Sequence, residues 1–178
     1  MTAPRTADHA SNRAAAVLAL TLPGDTVLYL LLPLHAAAFG VTLAEAGLLL
    51  AANRLVRIAG YGWIARYYER NGARDACVLA VLAATVASLG YALLPGVWLL
   101  LPMRLLWGLA FAAMNIATQA LATVEASRAA RRNGTARAII ATGPMIGLLA
   151  GAVLAEIAGP HVVFLCLAAV SFCALPMP

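Results

Sequence analysis

Charge is what this sequence has least of. Only 11% of its 178 residues are Asp, Glu, Lys or Arg, lysine is absent altogether, and 63% are hydrophobic. With a mean hydropathy of +0.89, this composition lies far outside the globular range and excludes water as the main solvent of the fold. Cysteine is scarce too. Cys77, Cys166 and Cys173 stand in apolar runs without a paired spacing, which reads as small core side chains rather than disulfides or metal ligands. No nucleophile–base set, metal-ligand cluster or phosphate-binding loop occurs, so no enzyme activity, metal or cofactor is expected. The basic residues are all arginine and give a formal net charge of +5. They do not interleave with aromatics or share one motif, which excludes nucleic acid as a partner.

What the sequence does have is long apolar runs. A bilayer core of roughly 30 Å takes about 20 helical residues to cross. Runs punctuated by Gly, Pro and charge predict six helices at about 14–38, 42–66, 76–95, 97–124, 136–158 and 160–176, with residues 1–13 as a tail and 14–178 as one bundle. The first run outlasts a secretory signal's apolar core, so it reads as an uncleaved helix. Connections near 39–42, 95–97 and 159–160 carry no arginine. Arg5 and Arg13 lie in the tail, Arg66, Arg70 and Arg74 in one longer connection, and Arg128, Arg131, Arg132 and Arg137 in another. Arginine collects on the cytoplasmic side, so both termini are expected there, in a multi-pass protein of the cell inner membrane. The sequon Asn133-Gly134-Thr135 then faces the cytoplasm and reads as a helix-initiating turn rather than a glycosylation site. The expected fold is all-α integral membrane, with six transmembrane helices arranged as two inverted three-helix repeats.

Polar side chains inside the apolar runs are the candidate site. Asp25 and His35 fall in the first helix, Asn53, Arg54 and Arg57 in the second, Arg104, Asn115 and Gln119 in the fourth. Each is expensive in lipid and needs a role. Asp25 and Arg54 each lie about eleven residues into their helices, near mid-depth, and are expected to pair. Arg57, three residues on and on the same face, is left for an anionic ligand. His35 and Glu156 sit near the outer end, where water solvates them. Pro23-Gly24 should loosen the helix beside Asp25.

Three local patterns resemble the major facilitator superfamily of transporters. The stretch Ala65-Arg66-Tyr67-Tyr68-Glu69-Arg70-Asn71-Gly72-Ala73-Arg74 is similar to that family's loop between the second and third helices. Glu69, Arg70, Gly72 and Arg74 fit it, whereas Ala65 replaces its first glycine. Arg104-Leu105-Leu106-Trp107-Gly108, followed by Ala112 and Ala113, resembles the fourth-helix motif, and Gly143-Pro144-Met145-Ile146-Gly147 the fifth-helix motif of proton-driven exporters. In that last stretch Ile139 and Leu148 occupy expected glycine positions. The resemblance implies a gating loop at Glu69, Arg70, Gly72 and Arg74, proton handling by Arg104, and a packing motif at Gly143, Pro144 and Gly147, while the mid-depth position of Asp25 makes it the expected partner in proton coupling. The polar residues inside the apolar runs supply the expected solute contacts, at Arg54, Arg57, Asn115 and Gln119.

The expected function is therefore proton-coupled export, as an antiporter, of a small solute, anionic if the two arginines bind it. Family members have twelve helices, so one six-helix bundle supplies one wall of the cavity. A second half, from a homodimer or a separate chain, is the expected partner, besides the lipid bilayer and the small-molecule substrate. Two other readings stay open: a non-transporting membrane scaffold or assembly factor with the same bundle, and an incomplete fragment.

Overall fold

The computed structural model describes Pro4–Met177, with side chains from Ala7 onward. Alanine- and leucine-rich stretches form α1 (Pro4–Thr21), α2 (Pro23–Leu34), α3 (Leu43–Leu93), α4 (Val97–Thr123), α5 (Ala129–Ala158) and α6 (Pro160–Cys173), and the polar segments at the start of α1, in the middle of α3 and at the start of α5 stay helical with them. Among the described residues, four helical stretches are long and apolar enough to cross a membrane: Ala7–Leu34, Leu43–Leu93, Val97–Thr123 and Ala126–Ala158; Pro160–Cys173 is apolar but shorter.

The first stretch is one rod with a break. Leu22 keeps helical angles and its N–H still reaches the Leu18 carbonyl at 2.9 Å. Pro23 has no N–H to offer the carbonyl of Ala19, and the helix restarts there as α2. The rod reaches back to Pro4, through residues expected to form a tail. Asp8 explains part of this extension: it accepts from Arg132 Nε at 2.5 Å, and Arg132 Nη2 donates to Glu125 at 3.0 Å.

The expected connection at 66–75 is helical on both sides, and the whole reversal falls on Gly72, at φ 84° and ψ 175°. That region is open essentially to glycine alone. Likewise α5 begins at Ala129 after a single 3-10 turn at Ala126–Arg128, not near 136. Asn133-Gly134-Thr135 lies inside the helix rather than at its start. At the beginning of α3, Thr42 and Glu45 exchange hydrogen bonds in a capping box, a device that contributes about 1 kcal/mol.

The chain shuttles between two ends. At the Gly72 end, Ala10, Arg13, Ala73, Arg74, Leu121 and Met177 line a common cavity. At the other, Gly96 N–H donates to Phe39 O at 2.8 Å, and His161 lies 3.0 Å from the Ala92 carbonyl and 3.2 Å from that of Ala38. Phe39, Tyr91 and Phe164 pack edge-on beside it. Both arms of α3 flank α4: Met103 fills the space over Gly90, while Val56 and Asn53 fill that over Gly108. Outside, large apolar side chains such as Leu55, Ile58, Trp98, Leu149, Val153 and Ile157 are exposed. Such a surface calls for lipid or another apolar surface.

Gly72→Ala is expected to lower stability by about 1–3 kcal/mol despite open space around its Cβ, because the cost is conformational. Thermal unfolding in mild detergent measures it, and an unchanged transition would contradict the assigned backbone.

Candidate functional site

Asp25 is the anchor of a buried ionic cluster. Its Oδ1 accepts from Arg104 Nη1 at 2.6 Å and from Asn53 Nδ2 at 3.1 Å, and its Oδ2 accepts from Arg57 Nη2 at 2.9 Å. Arg104 is wholly buried, with its Nε donating to the Leu49 carbonyl at 3.3 Å. Its guanidinium lies 5.2 Å from the Tyr29 ring and 6.0 Å from that of Tyr91. It therefore does not snorkel. Arg57, 19% exposed at the side chain, lies over Phe111 at 3.8 Å and Trp107 at 5.4 Å, a placement that stabilises a cation away from bulk water.

The expected Asp25–Arg54 pair does not form. Arg54 is exposed and its guanidinium lies 5.9 Å from the Tyr29 ring. Helix geometry gives the reason: Asn53 and Arg57 are one turn apart and both bond Asp25, so the face they share points inward and Arg54 turns away from it. Arg57 is accordingly engaged by the acid rather than standing free.

Towards the Gly72 end a polar ladder continues the site. One turn beyond Arg57, the Tyr61 hydroxyl accepts from Asn115 Nδ2 at 3.0 Å, and Asn115 Oδ1 accepts from Gln119 Nε2 at 3.2 Å. The spacing is regular on both sides, Asn53, Arg57 and Tyr61 on α3 facing Trp107, Phe111, Asn115 and Gln119 on α4. Arg54, Arg57, Asn115 and Gln119 thus lie along neighbouring faces of two helices. Tyr29, Tyr61, Trp107 and Phe111 were missed in the sequence, although their spacing of one helical turn from Asp25, Arg57, Arg104 and Asn115 was the available signal.

Glu69, Arg70, Gly72 and Arg74 are exposed together at the helix reversal, remote from Asp25. Gly143 and Gly147 lie against the first rod. A Cβ at Gly143 would come within 1.9 Å of the Ala19 carbonyl oxygen, one at Gly147 within 2.6 Å of Pro23 Cβ, and one at Gly151 within 3.1 Å of Val27. The stripe matches residues 19, 23 and 27 turn for turn, and it packs on the carbonyl that Pro23 leaves without its helical donor. Pro144 lies within α5, half-buried. Beside this contact α1, α2, α5 and α6 line an apolar cavity of about 310 Å³.

A helical bundle apolar on its outside, with a carboxylate and one guanidinium buried and a second guanidinium half-buried among long apolar helices, has the build of a multi-pass membrane protein. The sequence profile described as Major Facilitator Superfamily matches residues 14–177. The chain belongs to that superfamily and is a membrane transporter of its type. A comparison with curated proteins gave no match.

Proposed function

We propose that this protein exports a small solute across the cell inner membrane by alternating access, coupled to protons through Asp25. The observation that carries this reading is the position of Asp25, held between Arg57 and Arg104 at the edge of an open polar face. A carboxylate whose partners sit on two other helices is sensitive to any motion that separates them, because losing a guanidinium favours the protonated acid. Arg104 belongs to the same coupling device. Arg54, Arg57, Asn115 and Gln119 supply solute contacts along the face. Export is the sense implied by the resemblance of Gly143-Pro144 to the exporter motif.

In this reading six helical passes cross the bilayer as two inverted three-helix repeats, with α3 contributing two. The Gly72 end, rich in arginine, is cytoplasmic, and Glu69, Arg70, Gly72 and Arg74 form a gate there. A second six-helix bundle covers the polar face, since exposed Arg54 and Gln119 would otherwise meet lipid at a cost of several kcal/mol.

Flux in proteoliposomes tests the proposal. Solute movement is expected to follow an imposed pH gradient in the native protein and to lose that dependence in Asp25→Asn combined with Arg104→Gln, which leaves no unpaired buried charge at position 104. Undiminished pH-driven flux in the double variant would overturn the coupling role. No flux of any solute from a native dimer would favour a scaffold.

A further inference from the structure

The charges inside the bundle do not balance. Of the seven acids, Asp8 and Glu125 join the Arg132 cluster at the Gly72 end, Glu69 and Asp75 flank Gly72, Glu45 caps α3 and Glu156 lies near the end of α5. That leaves Asp25 alone against Arg57 and Arg104, with Arg54 nearby and in no ion pair among the described residues. One carboxylate thus faces two guanidiniums in a medium where an uncompensated charge is costly. The same cluster holds unspent donors: Arg57 Nε, Arg104 Nη2 and Trp107 Nε1 are buried and make no hydrogen bond. Asn53 Oδ1 and Ser88 Oγ are the unpartnered oxygens. Ser88 and Trp107 meet beside Gly24, where a Cβ would lie 2.9 Å from Ser88 Oγ and 3.6 Å from Trp107 Nε1. Most of the unmet hydrogen-bonding capacity is donor capacity, and the excess charge is positive.

We propose that the solute is a small monovalent carboxylate which binds Arg57 in exchange with Asp25, so that anion and proton bind together rather than in competition. This rests on the proton-coupled reading above and gives it a substrate class and a sign. A guanidinium fork matches a carboxylate with two parallel hydrogen bonds, and Phe111 and Trp107 offer an apolar wall beside Arg57 for the acid's carbon part. When the incoming carboxylate takes Arg57, Asp25 keeps Arg104 and gains a negative neighbour. Both changes favour its neutral form, so a proton adds to Oδ2 as the bond to Arg57 breaks. One negative charge and one proton enter together, so the cluster's net charge is unchanged and the gain lies in the acceptor oxygens that the carboxylate brings to the unspent donors. Export then means release of an acid with its proton, a cotransport that differs from exchange.

The other groups that bear on Asp25 do not supply this charge. Tyr29 stands on α2, Tyr91 on the second arm of α3, and Arg104 and Trp107 on α4. From Thr142 to Gly151, the part of α5 packed on α1 and α2 carries no titratable side chain, and Cys166 of α6 lines the apolar cavity beside Pro23.

Sodium acetate and sodium lactate, titrated into the purified full chain in weakly buffered detergent, test this directly. The readouts are proton uptake from a pH dye and Trp107 fluorescence in a W63F/W98F background. Sodium chloride and tetramethylammonium chloride are the comparison arms. Expected are uptake approaching about one proton per chain and an affinity that gains up to about tenfold per unit of pH lowered. In Asp25→Asn with Arg104→Gln, acetate should still bind at Arg57 with no proton uptake and no pH dependence. Proton release, or binding of tetramethylammonium in place of the carboxylates, would overturn the anion assignment, and chloride acting as well as acetate would overturn the carboxylate class. If carboxylates fail to bind while pH-driven flux through Asp25 persists, the substrate class falls and the proton-coupled reading stands. Carboxylate binding at constant proton content overturns the linked binding.

Discussion

Arg104→Leu is expected to destabilise the bundle by about 3–5 kcal/mol, the range seen when one partner of a buried ion pair is removed. Arg104 has no exposed surface and holds Asp25 at 2.6 Å while bracing the Leu49 carbonyl, so its loss frees a buried acceptor and removes one of a buried acid's two ionic partners. Asp25→Asn alone should also be costly, since Arg104 would then lie buried without a counter-ion. The two changes together should recover part of the loss, with a coupling energy of about 0.5–3 kcal/mol. Arg54→Ala, by contrast, removes an exposed side chain outside any described ion pair and should change stability by no more than about 0.5 kcal/mol. Thermal unfolding of the four variants in one detergent decides the matter, and strictly additive losses at positions 25 and 104 would show that the pair is not the link between the helices.

Gly143→Ala is expected to be the most damaging single methyl in the chain. Its Cβ would lie 1.9 Å from a backbone oxygen, which cannot rotate aside as a side chain can. To admit it, α5 must move off α1, and Gly147 and Gly151 lose their contacts with Pro23 and Val27. Overpacking of this kind costs about 3 kcal/mol. Gly134→Ala, in the same helix with nothing within 4 Å of the added atom, should instead stabilise by up to about 1 kcal/mol. Equal effects at the two positions would refute the close packing of α5 on the first rod.

Much of the fold was legible without coordinates. Apolar runs locate the helices because lipid leaves backbone groups no partner but one another. Helix starts and breaks were less legible. The basic residues between 66 and 75 suggested a loop, yet arginine and alanine are good helix formers, so the helix continues until Gly72 permits the reversal. Residues 129–135 joined α5 on the same grounds, with Arg132 and Asp8 tying the two helical extensions together.

Within the candidate site, the sequence reported depth and the structure reported rotation. Counting residues at a fixed rise put Asp25 and Arg54 at comparable depth, with Arg57 one turn nearer the inner end, and marked Arg104 as deep inside the apolar run. Counting alone did not say which arginine faces the acid, because a small turn of the helix exchanges Arg54 for Arg57, and small-residue packing sets that turn. The membrane character, the family and the polar inventory of this protein were therefore determined by the sequence itself, through the chemistry of each segment towards lipid. Tertiary structure decided that Asp25 is shared by Arg57 and Arg104 and that the glycines of α5 close on Pro23, because both follow from how helices rotate and approach, quantities fixed by contacts between segments distant in the chain.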